Sequence, residues 1–131
     1  MASQHSSETL IADRYASALY ELSSDNKCID QVLNDLKSLD QHITNSKDLT
    51  LLIRSPLIKS EDKKLIFEKI LNNINSNKLT SNFIKTISRN RRFSNLPNII
   101  NRFFNINSEK RGEVQADITS ADELSETQKK L

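Results

Sequence analysis

One glycine, Gly112, and two prolines, Pro56 and Pro97, are the only strong backbone punctuation in 131 residues. Hairpins and tight turns draw on Gly, Pro and Asn-Gly pairs to reach their backbone angles, so a fold of many short strands has almost no turn chemistry to work with here. Helices joined by short connections need far less, and an all-α fold is the expectation. Apolar residues make up 36% of the chain and charged residues 27%, the balance of a folded globular protein rather than of a disordered one. A chain of this length has room for one ordinary core.

Apolar residues recur at helical spacing along most of the chain. Ile11, Tyr15, Ala18 and Leu22 predict a first helix, with Ser7 or Thr9 as its cap. Ile29, Val32, Leu33, Leu36, Leu39 and Ile43 predict a second, with Asp30, Asp35, Lys37 and Asp40 on its polar face. A short third helix carries Leu49, Leu52 and Ile53, capped by Asn45 or Ser46, and must end before Pro56. Ser60 is the expected cap of a fourth, with Glu61 and Asp62 in its first turn and an apolar face of Leu65, Ile66, Ile70 and Leu71. Leu79, Phe83, Ile84 and Ile87 predict a fifth, running out at Asn90, Arg91 and Arg92. A sixth starts near Ser94 or Asn95, tolerates Pro97 in its first turn, and bears Leu96, Ile99, Ile100, Phe103, Phe104 and Ile106. Six helices with short connections make a compact antiparallel bundle over residues 1–111.

The pattern changes after Gly112. Val114, Ala116 and Ile118 alternate with Glu113, Gln115 and Asp117 at the period of a strand, and Ser125 to Gln128 has capping-box spacing just ahead of Leu131. Residues 112–131 are therefore expected to begin a second, truncated domain.

No catalytic or cofactor chemistry is expected. A phosphate-cradling loop needs several glycines, which excludes the common nucleotide fingerprints. His5 and His42 stand apart from any metal or nucleophile constellation, and Cys28, the sole cysteine, is expected to be a half-buried structural thiol. No run of some 20 apolar residues exists to span a membrane, which points to a cytosolic chain or one peripheral to a membrane. Charge is uneven: residues 61–112 hold 11 Lys/Arg against 4 Asp/Glu, while residues 1–60 hold 6 against 8 and residues 113–131 hold 2 against 5. Arg89, Arg91, Arg92 and Arg102 fall in the basic stretch. Such a face suits water or an acidic protein partner first, nucleic acid or lipid headgroups second, because no aromatic residues interleave with the arginines as a stacking platform.

Several segments resemble one family in the same order along the chain. Ala12-Asp13-Arg14-Tyr15-Ala16-Ser17-Ala18-Leu19-Tyr20 is similar to the Arg-Tyr-Ala-x-Ala-Leu opening of the ATP synthase delta subunit, the oligomycin sensitivity conferring protein of mitochondria. Leu51-Leu52-Ile53-Arg54-Ser55-Pro56 resembles its Leu-x-Ser-Pro-x-Ile segment, and Asn82-Phe83-Ile84 leading to Asn90-Arg91-Arg92 resembles its Asn-Phe-Leu to Asn-x-Arg helix. Gly112-Glu113-Val114-Gln115-Ala116-Asp117-Ile118-Thr119-Ser120-Ala121 is similar to its entry into the C-terminal domain. Arg91 departs from the pattern, standing where many members carry a small residue or lysine.

The resemblance implies a six-helix N-terminal domain without chemistry of its own, seated on the catalytic head at the cytoplasmic face of a bacterial inner membrane. It implies that the first and fifth helices grip the N-terminal helix of the alpha subunit, and that a C-terminal domain meets peripheral stalk subunit b. Matching positions nominate Tyr15, Ala18, Leu19, Leu22, Phe83, Ile84 and Ile87, of which Tyr15 and Ile87 are expected to serve groove and core together. The rival reading is a small RNA-binding bundle of the transcription antitermination type, whose binding would fall steeply with salt.

Overall fold

With so little to interrupt it, the chain forms helix wherever an apolar stripe can be buried. The computed structural model describes the backbone of residues 2–112 and the side chains of residues 8–112. Helix α1 spans Ala2–Asp25, α2 Ile29–Asn45, α3 Lys47–Arg54, α4 Ser60–Asn73 and α5 Lys78–Arg89. A 3-10 turn over Phe93–Asn95 leads into α6, helical through residues 96–112. No strand occurs among the described residues, and the expected all-α bundle is what the chain forms. The predicted strand and capping box between 113 and 131 lie outside the described residues. Helix α1 starts at Ala2, ahead of both predicted caps, Ser7 and Thr9, since residues 2–10 contain no Gly or Pro to stop it.

One core holds the bundle together. Val32, Leu36 and Leu39 of α2, Ile84 and Ile87 of α5 and Leu96, Ile99, Ile100 and Phe103 of α6 are shut off from solvent. Phe67 of α4 stacks on Phe93, ring centroids 5.3 Å and planes 19° apart, and Tyr20 of α1 leans on Phe103 at 5.4 Å. Arg102 on α6 donates through Nε to Asp13 on α1 at 2.8 Å, a bond that raises the guanidinium pKa further.

Two readings of helix faces are corrected. The buried side of α4 is Lys63, Phe67 and Leu71, while Leu65 and Ile66, placed in the core by periodicity, are exposed. The larger Phe67, at the centre of a face spaced four by four, gains more from burial than the two aliphatic residues turned outward. Lys63 joins that face because its Nζ donates to the carbonyls of Ile53 and Ser55, both at 3.0 Å, closing the C-terminus of α3. Asp35, read as solvent-facing, is buried as well. Its carboxylate accepts from the Asn77 backbone N–H at 2.8 Å and the Thr80 hydroxyl at 2.7 Å, so α2 supplies a negative charge to the N-terminus of α5.

The scarcity of glycine is felt at the helix ends. After α1, α4 and α5 the chain turns through a residue of positive φ, namely Lys27 at 54°, Asn75 at 52° and Arg91 at 56°. Each closure has the same pair of bonds. After α5 these run from Arg92 N–H to Ile87 O at 2.9 Å and from Arg91 N–H to Ser88 O at 3.1 Å. That is the Schellman pattern, which ordinarily places glycine in the left-handed position. A lysine or arginine there carries a Cβ clash of roughly 1–2 kcal/mol, and asparagine carries less.

Two outcomes are expected in thermal melts. Lys27→Gly and Arg91→Gly should each stabilise the bundle by up to about 1 kcal/mol, relief of the clash exceeding glycine's extra unfolded-state entropy, while Asn75→Gly gains less. A lowered melting temperature for both would contradict that account of the turns. Asp35→Ala should cost about 1–3 kcal/mol, because it strands a backbone donor and a buried hydroxyl together; a neutral result would show that water replaces the carboxylate.

Candidate partner-binding site

Helix α1 is the element on which the nominated surface rests. Its inner face consists of small or medium side chains, Ala12, Ala16, Leu19 and Ser23, so neighbouring backbones can approach closely. Ser23 keeps its hydroxyl satisfied within the core by donating to Leu19 O at 2.7 Å. The opposite stripe, Leu10, Arg14, Ala18 and Leu22 at steps of four, is exposed, with Leu10 64% and Leu22 50% accessible.

The seam between α1 and α5 is closed by an aromatic pair. Tyr15, half-buried, meets Phe83 edge to face, centroids 6.5 Å apart and planes inclined by 72°. Its hydroxyl accepts from Asn90 Nδ2 at 2.7 Å, which ties α1 to the closure that ends α5. Tyr15 and Phe83, nominated on separate helices, are brought together across this seam.

The remaining nominated residues separate into two groups. Leu19 is 2% exposed and Ile84 and Ile87 are 0% exposed, so these three belong to the core and present no surface in this state. Phe83 is 8% exposed. Ala18 and Leu22 face solvent, one and two turns beyond Tyr15 on α1. The accessible part of the nominated set is thus Tyr15, Ala18 and Leu22. Leu10 continues that surface and was missed by sequence reasoning, although its four-residue spacing to Arg14, Ala18 and Leu22 was readable.

Other expected features can be placed. Cys28 is a free thiol of intermediate exposure, as expected. His42 is exposed, with Nδ1 2.7 Å from Ser38 O. Among the described residues no three His, Cys, Asp or Glu side chains gather as metal ligands. No described helix is long and apolar enough to cross a membrane. Arg102, counted with the basic stretch, is engaged by Asp13 and, at 3.5 Å, by Glu109.

Comparison with known proteins gives one answer. The family model described as ATP synthase delta (OSCP) subunit matches residues 11–131. An "ATP synthase subunit delta" of Brucella anthropi is 41% identical over 118 residues, covering 90% of this chain and 63% of that protein. Proteins of the same name from Mesorhizobium japonicum and Rhodospirillum centenum are 37% and 34% identical over 128 residues, 98% of this chain and 69% of each relative. The chain thus spans a little under two thirds of the Brucella protein's length. A family match over nearly the whole chain, joined to an all-helical bundle, places this chain in the ATP synthase delta (OSCP) subunit family.

Proposed function

We propose that the chain is a non-catalytic stator piece of a rotary ATP synthase, linking the catalytic head to the peripheral stalk at the cytoplasmic face of a bacterial inner membrane. In this role it holds the head still against rotor torque, so that proton flow drives ATP synthesis. The outer face of α1, along the seam with α5, takes the amphipathic N-terminal helix of the alpha subunit, and the C-terminal region of such a subunit meets stalk subunit b.

The observation that carries this reading is the exposed stripe Leu10, Ala18 and Leu22 beside the Tyr15–Phe83 seam. A helix laid along α1 can approach closely at Ala18 and bury the leucines on either side, the geometry of helix-in-groove recognition. Each leucine contributes roughly 1.5–3 kcal/mol when fully covered, against an association cost on the order of 4–15 kcal/mol. Gains of that size leave little surplus over the association cost, so an isolated helix binds weakly and single anchors matter. The RNA-binding alternative finds less support, since Tyr15 has its hydroxyl held by Asn90 and its ring packed against Phe83.

Calorimetric titration with a synthetic alpha-subunit N-terminal helix tests the assignment. Leu22→Asp and Ala18→Arg should weaken binding by about tenfold or more through desolvation and lost approach, with helical circular dichroism and melting unchanged. Ile87→Asp should instead unfold the bundle, since an unpaired buried carboxylate costs several kcal/mol of a total stability of roughly 5–15 kcal/mol. Wild-type affinity in both surface variants would remove the α1 face from the site. A folded Ile87→Asp chain that loses the helix selectively would move the site to the inner face.

A further inference from the structure

The C-terminus of α3, the N-terminus of α4 and the C-terminus of α5 meet around a cleft of about 920 Å³ that no residue of α1 lines. The Ser55-Pro56 corner forms one wall. The α5 closure forms another, fastened to α4 by the Ser88 hydroxyl donating to Ser60 O at 3.2 Å. Ile53 and Phe93 give an apolar floor with almost no solvent contact, and Pro56 and Ile58 add apolar surface nearer the mouth.

The lining is strongly positive. Arg54, Lys59, Lys64, Lys85, Arg89 and Arg91 surround the cleft and Lys63 reaches its floor, against a single carboxylate, Glu61. None of these cations takes part in the ion pairs found among the described residues, which engage Arg102 and Arg111 instead. Lys63 spends two of its protons on the α3 carbonyls, and burial lowers its pKa below the ordinary lysine value. The left-handed turn at Arg91 sets that residue on the rim at a cost in backbone energy. Seven like charges held this close repel one another, and a ligand of opposite charge relieves the repulsion.

We propose that this cleft is a docking site for an acidic polypeptide segment of another protein, bound through carboxylates at the rim and one or two apolar side chains against Pro56 and Ile58. The site is separate from the α1 face and takes a ligand of different chemistry, so either assignment can fail without the other. The shape decides among anions. A volume in the range of pockets that enclose small ligands admits a few residues of a peptide and excludes a nucleic-acid duplex. Single-stranded nucleic acid is held largely by stacking on exposed aromatic rings, and the one aromatic of the cleft, Phe93, is buried beneath Phe67. A bilayer presents a plane that cannot reach a concave floor, whereas an extended or helical peptide can.

Fluorescence anisotropy on the chain with a labelled Glu-rich peptide of about a dozen residues bearing two leucines tests this. At about 100 mM salt, where the screening length is roughly 10 Å, the peptide is expected to bind, and Arg54→Glu together with Arg89→Glu to weaken it by about tenfold or more. Lys37→Glu reverses an exposed charge on α2, outside the cleft, and is expected to change affinity less than about twofold. Melting curves of the variants should match wild type, both cleft arginines being exposed. No binding, or equal losses from the cleft pair and from two reversals elsewhere, would overturn the proposal. So would tighter binding of an oligouridylate of equal length, or of vesicles rich in anionic lipid, that the cleft substitutions abolish.

Discussion

Ala12, Ala16, Leu19 and Ser23 follow one another at steps of four, three and four along α1, and all four are at most 5% exposed. Their small average size lets α1 sink into the bundle, and the depth of that burial fixes what the helix can still offer outside. With one face consumed by the core, Tyr15 is left at the boundary to close the seam against Phe83, while Ala18 and Leu22 are turned to solvent. A larger residue at 12 or 16 would push α1 outward and open the seam. The surface on which the partner reading rests is a by-product of this packing.

The helix ends show how a chain with almost no glycine still makes tight connections. Backbone closures through Lys27, Asn75 and Arg91 supply the turns, and two buried charges supply the caps. Lys63 satisfies the last carbonyls of α3, and Asp35 the N–H of Asn77, the cap residue of α5, with the Thr80 hydroxyl. Each charge thus sits at the helix pole its sign favours. These ties link α2 to α5 and α3 to α4 by direct bonds, which binds the short helices into one body. The Lys63 tie and the Ser88–Ser60 bond also draw together the three helix termini around the basic cleft.

Much of this was legible in the sequence, and the exceptions share a cause. Stripes as regular as that of α2 give the core directly, and Ser46 caps α3 as its position before Lys47 implies, accepting from Leu49 N–H at 3.1 Å. Helix α4 misled because two competing faces fit a helical period, and only packing against Phe93 decides for Phe67 over Leu65 and Ile66. Asp35 misled because charge alone says nothing of a partner more than forty positions away. For the site, the family resemblance nominated helices in contact but could not tell inner from outer residues. Leu19, Ile84 and Ile87 share a helical period with accessible neighbours, and their depth is a property of the whole bundle.

The chain therefore divides its resources: one side of α1 and α5 holds the bundle together, the other side of α1 stays exposed where the partner helix is proposed to bind, and the basic cleft is lined by other elements. Methyl and aromatic NMR shifts on titration with the alpha-subunit helix test this division most directly. The account predicts shifts for Leu10, Ala18, Leu22 and the Tyr15 ring, with the methyls of Leu19, Ile84 and Ile87 nearly unmoved. Large, cooperative shifts at Leu19, Ile84 and Ile87 would contradict it, because they would mean that the bundle opens and that its inner face is the binding surface.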